Sequence, residues 1–229
     1  MRAMGGDDVN LAVAVMVSLL AAVVWLAFFY RQDRGVPEPP GRVAVAALLG
    51  AGSVVPAAAW ESWALQWVDA ATPAGALVAA FLVVGLGEET LKFAAAYAAA
   101  YRLGRQALHE PIDAVVYAIA AGLGFAAVEN VVYARAFGLA VLPLRAVVGF
   151  AVHASLAGVF GYVVGVSVTR GEPLAPAAAR GVAAAAFLHG LYDFAIASRW
   201  LSPGGVLLAV AALYVLLAAR ITAAQEGIA

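Results

Sequence analysis

The sequence predicts an all-α fold, a polytopic membrane helical bundle of about seven transmembrane helices. Hydrophobic residues make up 65% of the 229 residues and charged residues only 12%, and the mean hydropathy is +0.94. This balance is typical of a chain made mostly of membrane spans. Charged, proline-rich or glycine-rich breaks separate seven apolar segments, with approximate limits Val9–Tyr30, Val43–Trp60, Pro73–Tyr101, Ile112–Phe137, Leu144–Val168, Pro176–Ala197 and Gly204–Ala219.

Each segment follows from local signals. The first is longer than the apolar region of a typical signal peptide, so we expect a retained helix. The stretch Arg31–Arg42 is polar and broken by prolines, which predicts a loop before the second span. Trp60, Trp63 and Trp67 are expected in a short loop after that span, as an interfacial aromatic belt or an amphipathic surface turn. The third to sixth spans carry ionisable residues, and the seventh carries no recognisable motif.

The composition also limits how many domains and which kinds of partner we expect. No long polar segment could fold separately, so residues 1–229 are expected to form one integral-membrane domain with its motif-bearing core at about 73–197. The absence of cysteine excludes disulfides, cysteine-ligated metals and thiol catalysis. No basic run suggests nucleic acid, and the expected surroundings are a lipid bilayer.

Loop arginines predict the orientation. Eight of the twelve arginines fall on one side of the predicted spans and four on the other. The side with more basic residues is normally cytoplasmic. This bias predicts an N-terminus outside and a C-terminus in the cytoplasm.

Ionisable residues inside the spans are the most informative feature of the sequence. A charge at the bilayer centre costs about 2.5–3.5 kcal/mol on insertion scales, so such residues usually face one another and mark function. They occupy four consecutive spans and are Glu88, Glu89, Lys92, Glu129, His153, His189 and Asp193. The predicted topology places the two adjacent glutamates near mid-span and the later residues in the outer half. We therefore expect one polar site.

Helical spacing suggests local partners. Glu88 and Glu89 precede Lys92 by four and three residues, so the lysine can pair with either acid. We expect it to hold Glu89, leaving Glu88 for a cavity; a purely structural ion pair is the alternative. Glu129 has no cation nearby in its own helix, so its partner must come from another span. His189 and Asp193 are also four residues apart, which lets the acid orient the imidazole.

The ordered motifs resemble the PrsW family of intramembrane proteases and, more distantly, the CAAX prenyl endopeptidases and their bacterial relatives. The matching positions are Glu88, Glu89 and Lys92, then Phe125, Glu129 and Asn130, then His153, then His189 and Asp193. The resemblance implies catalytic roles for the six acids and histidines and orienting roles for Lys92, Phe125 and Asn130. It implies peptide hydrolysis in a bacterial or archaeal cytoplasmic membrane. The implied substrate is a single-span membrane protein, with an anti-sigma factor cut on its extracytoplasmic side as the best-known case.

Two mechanisms remain open, because the sequence has no GxSxG, no HExxH and no cysteine. In the metal-free version Glu88 is the general base, His153 positions the water, and His189 with Asp193 stabilises the oxyanion. In the metal version Glu88, His153 and His189 bind a zinc-like divalent ion. The related CAAX endopeptidases favour the glutamate version.

A different class of protein is the main alternative. Buried acids and histidines also form the proton relays of proton-coupled transporters and channels. No inverted repeat is evident in the spans, which counts against a transporter. A non-catalytic scaffold would require every buried ionisable group to be structural.

Overall fold

The computed structural model describes residues 6–102 and 108–226, and no strand occurs in this part of the chain. Eight α-helices follow one another: α1 Gly6–Tyr30, α2 Pro40–Ala64, α3 Pro73–Val78, α4 Leu86–Tyr97, α5 Pro111–Phe137, α6 Leu142–Thr169, α7 Leu174–Ala197 and α8 Pro203–Gln225. Within the described residues seven segments are long and apolar enough to cross a membrane, because α3 and α4 belong to one span, Pro73–Ala100. The all-α polytopic bundle is therefore confirmed. Arg2 and Arg105, two of the arginines counted for orientation, lie outside the described residues.

The second span is longer than predicted. Trp60 and Trp63 lie inside α2, and Trp67 ends a 3₁₀ turn, Leu65–Trp67, that continues it. The predicted tryptophan loop is therefore wrong. The sequence from Glu61 to Gln66 contains no glycine or proline, so helical structure continues to Trp67. Asp69 and Pro73 follow and mark the break before the third span.

The third span changes its helical type three times. It starts at Pro73, where the Thr72 hydroxyl accepts a hydrogen bond from the Gly75 amide at 3.1 Å. Ala79–Gly85 then forms a π-helix, and Ala98–Arg102 forms another after α4. π-Helical turns disturb the regular hydrogen-bond ladder and are frequent at functional sites. The first of these π-helices ends at Gly85, three residues before Glu88.

Helices α5 and α6 form the centre of the bundle. In each of these spans 78% of the most apolar window is buried inside the protein, against 11% in α1 and 17% in α8. Small residues let other helices approach α5 closely. A Cβ added to Gly50 of α2 would lie 2.0 Å from the Ala121 carbonyl oxygen, and one added to Gly124 would lie 1.8 Å from that of Ala47. Backbone contact of this kind drives helix association in lipid.

Polar contacts attach the α1–α2 loop, residues 31–39, to the end of α1 and to the beginning of α5. The Tyr117 hydroxyl donates a short hydrogen bond to the Glu38 carboxylate. The Tyr30 hydroxyl donates to the Glu38 carbonyl at 2.8 Å. Nearby, Glu110 and Asp113 form a capping box at the start of α5. These contacts fix the end of the bundle that is opposite Trp60.

Candidate active site

The first part of the site is an ion-pair group on α4. The Lys92 ammonium lies 2.8 Å from Glu88 Oε2 and 2.8 Å from Glu89 Oε1. It also lies 4.4 Å from the centre of the Phe125 ring. The i,i+3 and i,i+4 spacings bring all three charges to one face. Lys92 thus holds both acids, where the sequence predicted that it would hold Glu89.

Helix α7 adds an imidazole to this group. His189 Nδ1 lies 2.9 Å from Glu89 Oε1, and its Nε2 lies 3.3 Å from Asp193 Oδ2. The same Nε2 is 3.9 Å from Glu88 Oε2. Close helix contact makes this possible, since a Cβ on Gly190 would lie 2.6 Å from the Phe81 ring in the π-helix. The predicted i,i+4 pair of His189 and Asp193 is present, and Glu89 orients the ring from the other side.

The second part of the site joins α5 to α6. Glu129 Oε2 lies 2.8 Å from His153 Nε2 and 2.6 Å from an Arg145 guanidinium nitrogen. Arg145 also donates to Asn130 Oδ1 at 2.8 Å, and its guanidinium lies 3.7 Å from the Tyr133 ring centre. Glu129 therefore takes its partners from another span, as its sequence context predicted.

The two parts form one cluster. The rings of His153 and His189 meet edge to face with centroids 6.0 Å apart, and the Phe125 ring lies 5.6 Å from that of His153. Five of its residues are almost completely buried, since Glu89 and Lys92 are fully buried and Glu88, His153 and His189 are no more than 5% exposed. The predicted site residues thus come together. So many charges are kept in a protein interior only when they are paired or functional.

Some polar atoms in the cluster have no partner. Within the described part of the chain these buried atoms are Glu89 Oε2, Asn130 Nδ2 and His153 Nδ1. Because Glu129 accepts the proton on His153 Nε2, a neutral His153 presents Nδ1 as a free acceptor. Buried polar groups are normally satisfied, so unpartnered ones mark places where water, ion or substrate binds.

Three ligand atoms are arranged as a divalent metal site would need. One atom each from Glu88, Glu89 and His189 lies within 4.8 Å of the others. Two carboxylates and an imidazole are a ligand set that zinc accepts, and the unpartnered Glu89 Oε2 leaves a lone pair for an ion. The residues therefore fit a metal. The group contains Glu89 rather than the predicted His153, because His153 is engaged with Glu129 on the other side of the cluster.

Sequence reasoning missed two residues of the site. Arg145 was counted as a loop arginine, yet it lies in the first turn of α6 and pairs with Glu129. Glu61 was assigned to the tryptophan loop, yet it lies on α2 within electrostatic range of Glu88 and Glu129. No spacing rule links either residue to the motifs, since their contacts cross between helices.

Membrane helices enclose carboxylates, imidazoles and one lysine in this cluster. Such groups can catalyse hydrolysis inside a bilayer, so the fold and the site define an intramembrane peptidase. Residues 38–221 match the family described as "PrsW family intramembrane metalloprotease". The chain belongs to that family.

Curated relatives agree with this assignment. The chain is 30% identical to "Protease PrsW" of Geobacillus kaustophilus over 81% of its own length and 83% of the relative. It is 34% identical to that of Shouchella clausii over 52% of its own length and 54% of the relative. It is 25% identical to that of Bacillus subtilis over 82% of its own length and 85% of the relative. No solved structure matches the chain.

Proposed function

We propose that this intramembrane peptidase is an endopeptidase that hydrolyses a peptide bond in a single-span membrane protein, near the extracytoplasmic boundary of the bilayer. An anti-sigma factor is the candidate substrate that the family resemblance implies. The proposal rests on one observation: Glu88, Glu89 and Lys92 of α4 lie together with His189 of α7 in one buried cluster. A transporter would not explain the family match of residues 38–221.

Glu88 is the proposed general base. Of the two acids on Lys92 it has the more accessible side chain, at 6% against 0% for Glu89. Glu89 already accepts from both Lys92 and His189, which suits an orienting role. In the reaction Glu88 takes a proton from water as the oxygen attacks the carbonyl carbon. The same proton then passes to the leaving nitrogen as the C–N bond breaks.

The histidines have distinct proposed roles. His153, fixed by Glu129, directs its free Nδ1 acceptor at the attacking water. His189, held through Nδ1 by Glu89, supplies its Nε2–H, which lies 3.3 Å from Asp193, toward the developing oxyanion. Arg145 keeps Glu129 in position from above the Tyr133 ring.

A metal-dependent version of the same reaction is the second candidate. The family description names a metalloprotease, and Glu88, Glu89 and His189 would hold the ion. Such an ion, when bound, would lower the pKa of a water ligand and polarise the carbonyl group. In that version Glu88 and Glu89 are ligands, and Lys92 balances their charge.

The test is cleavage of a single-span peptide by the detergent-purified protein, with and without a chelator. Cleavage is expected in both mechanisms, and a preparation that binds no substrate and cuts none would refute the proposal. Metal analysis of wild type and of His189→Ala separates the mechanisms. A stoichiometric ion that is lost in His189→Ala identifies the metal version, whereas metal-free, chelator-resistant cleavage identifies the glutamate version.

A further inference from the structure

Glu61 is an acidic residue at the site that neither mechanism uses. It lies on α2, and its side chain has no hydrogen-bond or ion-pair partner among residues 6–102 and 108–226. The residue is half-buried. A carboxylate that is partly removed from water and unpaired costs stability, so its retention at a site calls for a ligand.

Helix geometry directs Glu61 toward the cluster. Three residues of α2, Val54, Ala57 and Ala64, are buried. Glu61 lies on the same helix face, because it comes seven residues after Val54, four after Ala57 and three before Ala64. Val54 and Ala57 pack in one apolar cluster with Phe125, the ring beneath Lys92. Glu61 therefore lies one helical turn beyond Ala57, on the buried face of α2.

The preceding residue attaches this end of α2 to the catalytic helix. The Trp60 indole donates to the Val83 carbonyl in the π-helix at 2.9 Å. A Cβ on Gly87 would lie 2.6 Å from the Trp60 ring, so the ring lies directly on the backbone before Glu88. Trp60 is nevertheless 40% exposed. Glu88, Glu129, His189 and Lys92 are all within electrostatic range of Glu61.

We infer that Glu61 and the Trp60 ring form a subsite for a basic side chain of the substrate next to the scissile bond. This inference rests on the proposed endopeptidase function. A carboxylate and an exposed indole on consecutive residues offer the two interactions that bind lysine or arginine, namely ion pairing and cation–π attraction. The site already holds more carboxylates than cations, namely Glu88, Glu89, Glu129, Asp193 and Glu61 against Lys92 and Arg145, so an added substrate cation is favoured electrostatically.

The test uses the full-length protein and a set of single-span substrates that differ at one residue near the mapped scissile bond, with lysine, glutamine or glutamate there. Wild type should cleave the lysine substrate about tenfold better than the glutamine one, the scale of one charged hydrogen bond. Glu61→Gln should remove this preference mainly through KM, and Glu61→Lys should shift it to the glutamate substrate. The matched control is Asp69→Asn, which removes a negative charge after the same helix and keeps the oxygen that accepts from the Ala71 amide.

The outcomes separate the two claims. Equal cleavage of all three substrates by wild type would overturn the subsite and leave the endopeptidase function standing. A Glu61→Gln protein that folds normally but loses kcat on every substrate would also overturn it, because Glu61 would then act in the reaction. Failure of wild type to cleave any substrate would overturn the proposed function and the subsite together.

Discussion

One ammonium group balances two carboxylates at the centre of this protein. Lys92 is the only lysine in the chain, while the other twelve basic residues are arginines. A compact ammonium can donate to two carboxylates 2.8 Å away on its own helix and still lie over the Phe125 ring. Lys92 thus links both acids on one face of α4.

Replacing Glu88 tests the proposed base. Glu88→Gln keeps the shape of the side chain but removes its ability to take a proton, so cleavage should fall by at least about 10²-fold. The measurement is the initial rate on a single-span substrate, with the melting temperature recorded in the same detergent. Glu172→Gln is the control, since Glu172 lies in the α6–α7 turn and pairs with Arg180 there. Near-normal cleavage by a well-folded Glu88→Gln protein would remove Glu88 from this role.

Replacing Lys92 tests the charge balance. Lys92→Met leaves two buried carboxylates without their cation, and the expected loss of stability is about 3–5 kcal/mol. Adding Glu89→Gln to Lys92→Met removes one of those charges and should recover part of the loss. Thermal unfolding in detergent compares the single and double variants. A Lys92→Met protein with the stability of wild type would show that the pairing contributes nothing.

At the residue scale the sequence revealed local pairs better than distant ones. The contacts of Lys92 with its two glutamates follow from helical spacing, as does that of His189 with Asp193. The contacts of Glu129 with Arg145 and of Glu89 with His189 join residues far apart in sequence. Only the packing of the helices determines those, so a single sequence could predict that a partner exists but not which residue it is.

At the element scale, small residues decide how closely the helices pack. Gly50 and Gly52 lie two positions apart on α2, yet an added Cβ at Gly50 would strike the Ala121 carbonyl at 2.0 Å, whereas one at Gly52 would meet nothing within 4 Å. Gly50→Ala should therefore push α2 from α5 and destabilise the protein by about 1–3 kcal/mol. Gly52→Ala should be neutral or stabilising by about 0.5–1 kcal/mol through helix propensity. Thermal unfolding of both variants would show equal shifts if the close contact were absent.

A second prediction at this scale concerns the loop before α2. Burial, together with the nearby Asp113 and Asp33 carboxylates, raises the pKa of Glu38 above its ordinary value, although the hydrogen bond from Tyr117 lowers it. Because the folded state binds this proton more tightly, Glu38 favours folding below the ordinary glutamate range near pH 4.3, and that contribution is lost as the pH rises through the raised pKa. Glu38→Gln should flatten this part of the stability profile, measured by unfolding across pH. An unchanged profile would contradict the assignment.

The helix boundaries show where pattern reading fails. Apolar length and proline breaks gave the seven spans, because a bilayer imposes a fixed length on each. The π-helix Ala79–Gly85 carries no distinct signal in a run of alanine, valine and leucine, although it packs closely against α7. Trp60 and Trp63 were placed in a loop because aromatic residues concentrate at interfaces. Helices also end at these interfaces, so the position of the tryptophans did not show whether they lie in a loop or in the last turns of a helix.

At the scale of the whole molecule, depth and orientation connect the site to its substrate. The arginine bias predicts that Trp60 and the motif-bearing ends of α5 and α7 lie toward the extracytoplasmic side. That the 229 residues form one domain stays a prediction, as does the orientation. With this orientation a substrate helix would approach from the lipid and expose an unwound stretch to Glu88, because a continuous helix keeps its amides bonded.

Mapping the cleavage site tests the central claim most directly. Purified protein, reconstituted with a single-span substrate of known orientation, should yield two fragments whose masses place the cut near the outer boundary of the substrate's span. Labelling the N-terminus of the peptidase in the same vesicles reports its orientation. The account predicts an external N-terminus and an outer cut that Glu88→Gln abolishes. A cut at the bilayer centre or on the cytoplasmic side, with the N-terminus outside, would contradict it.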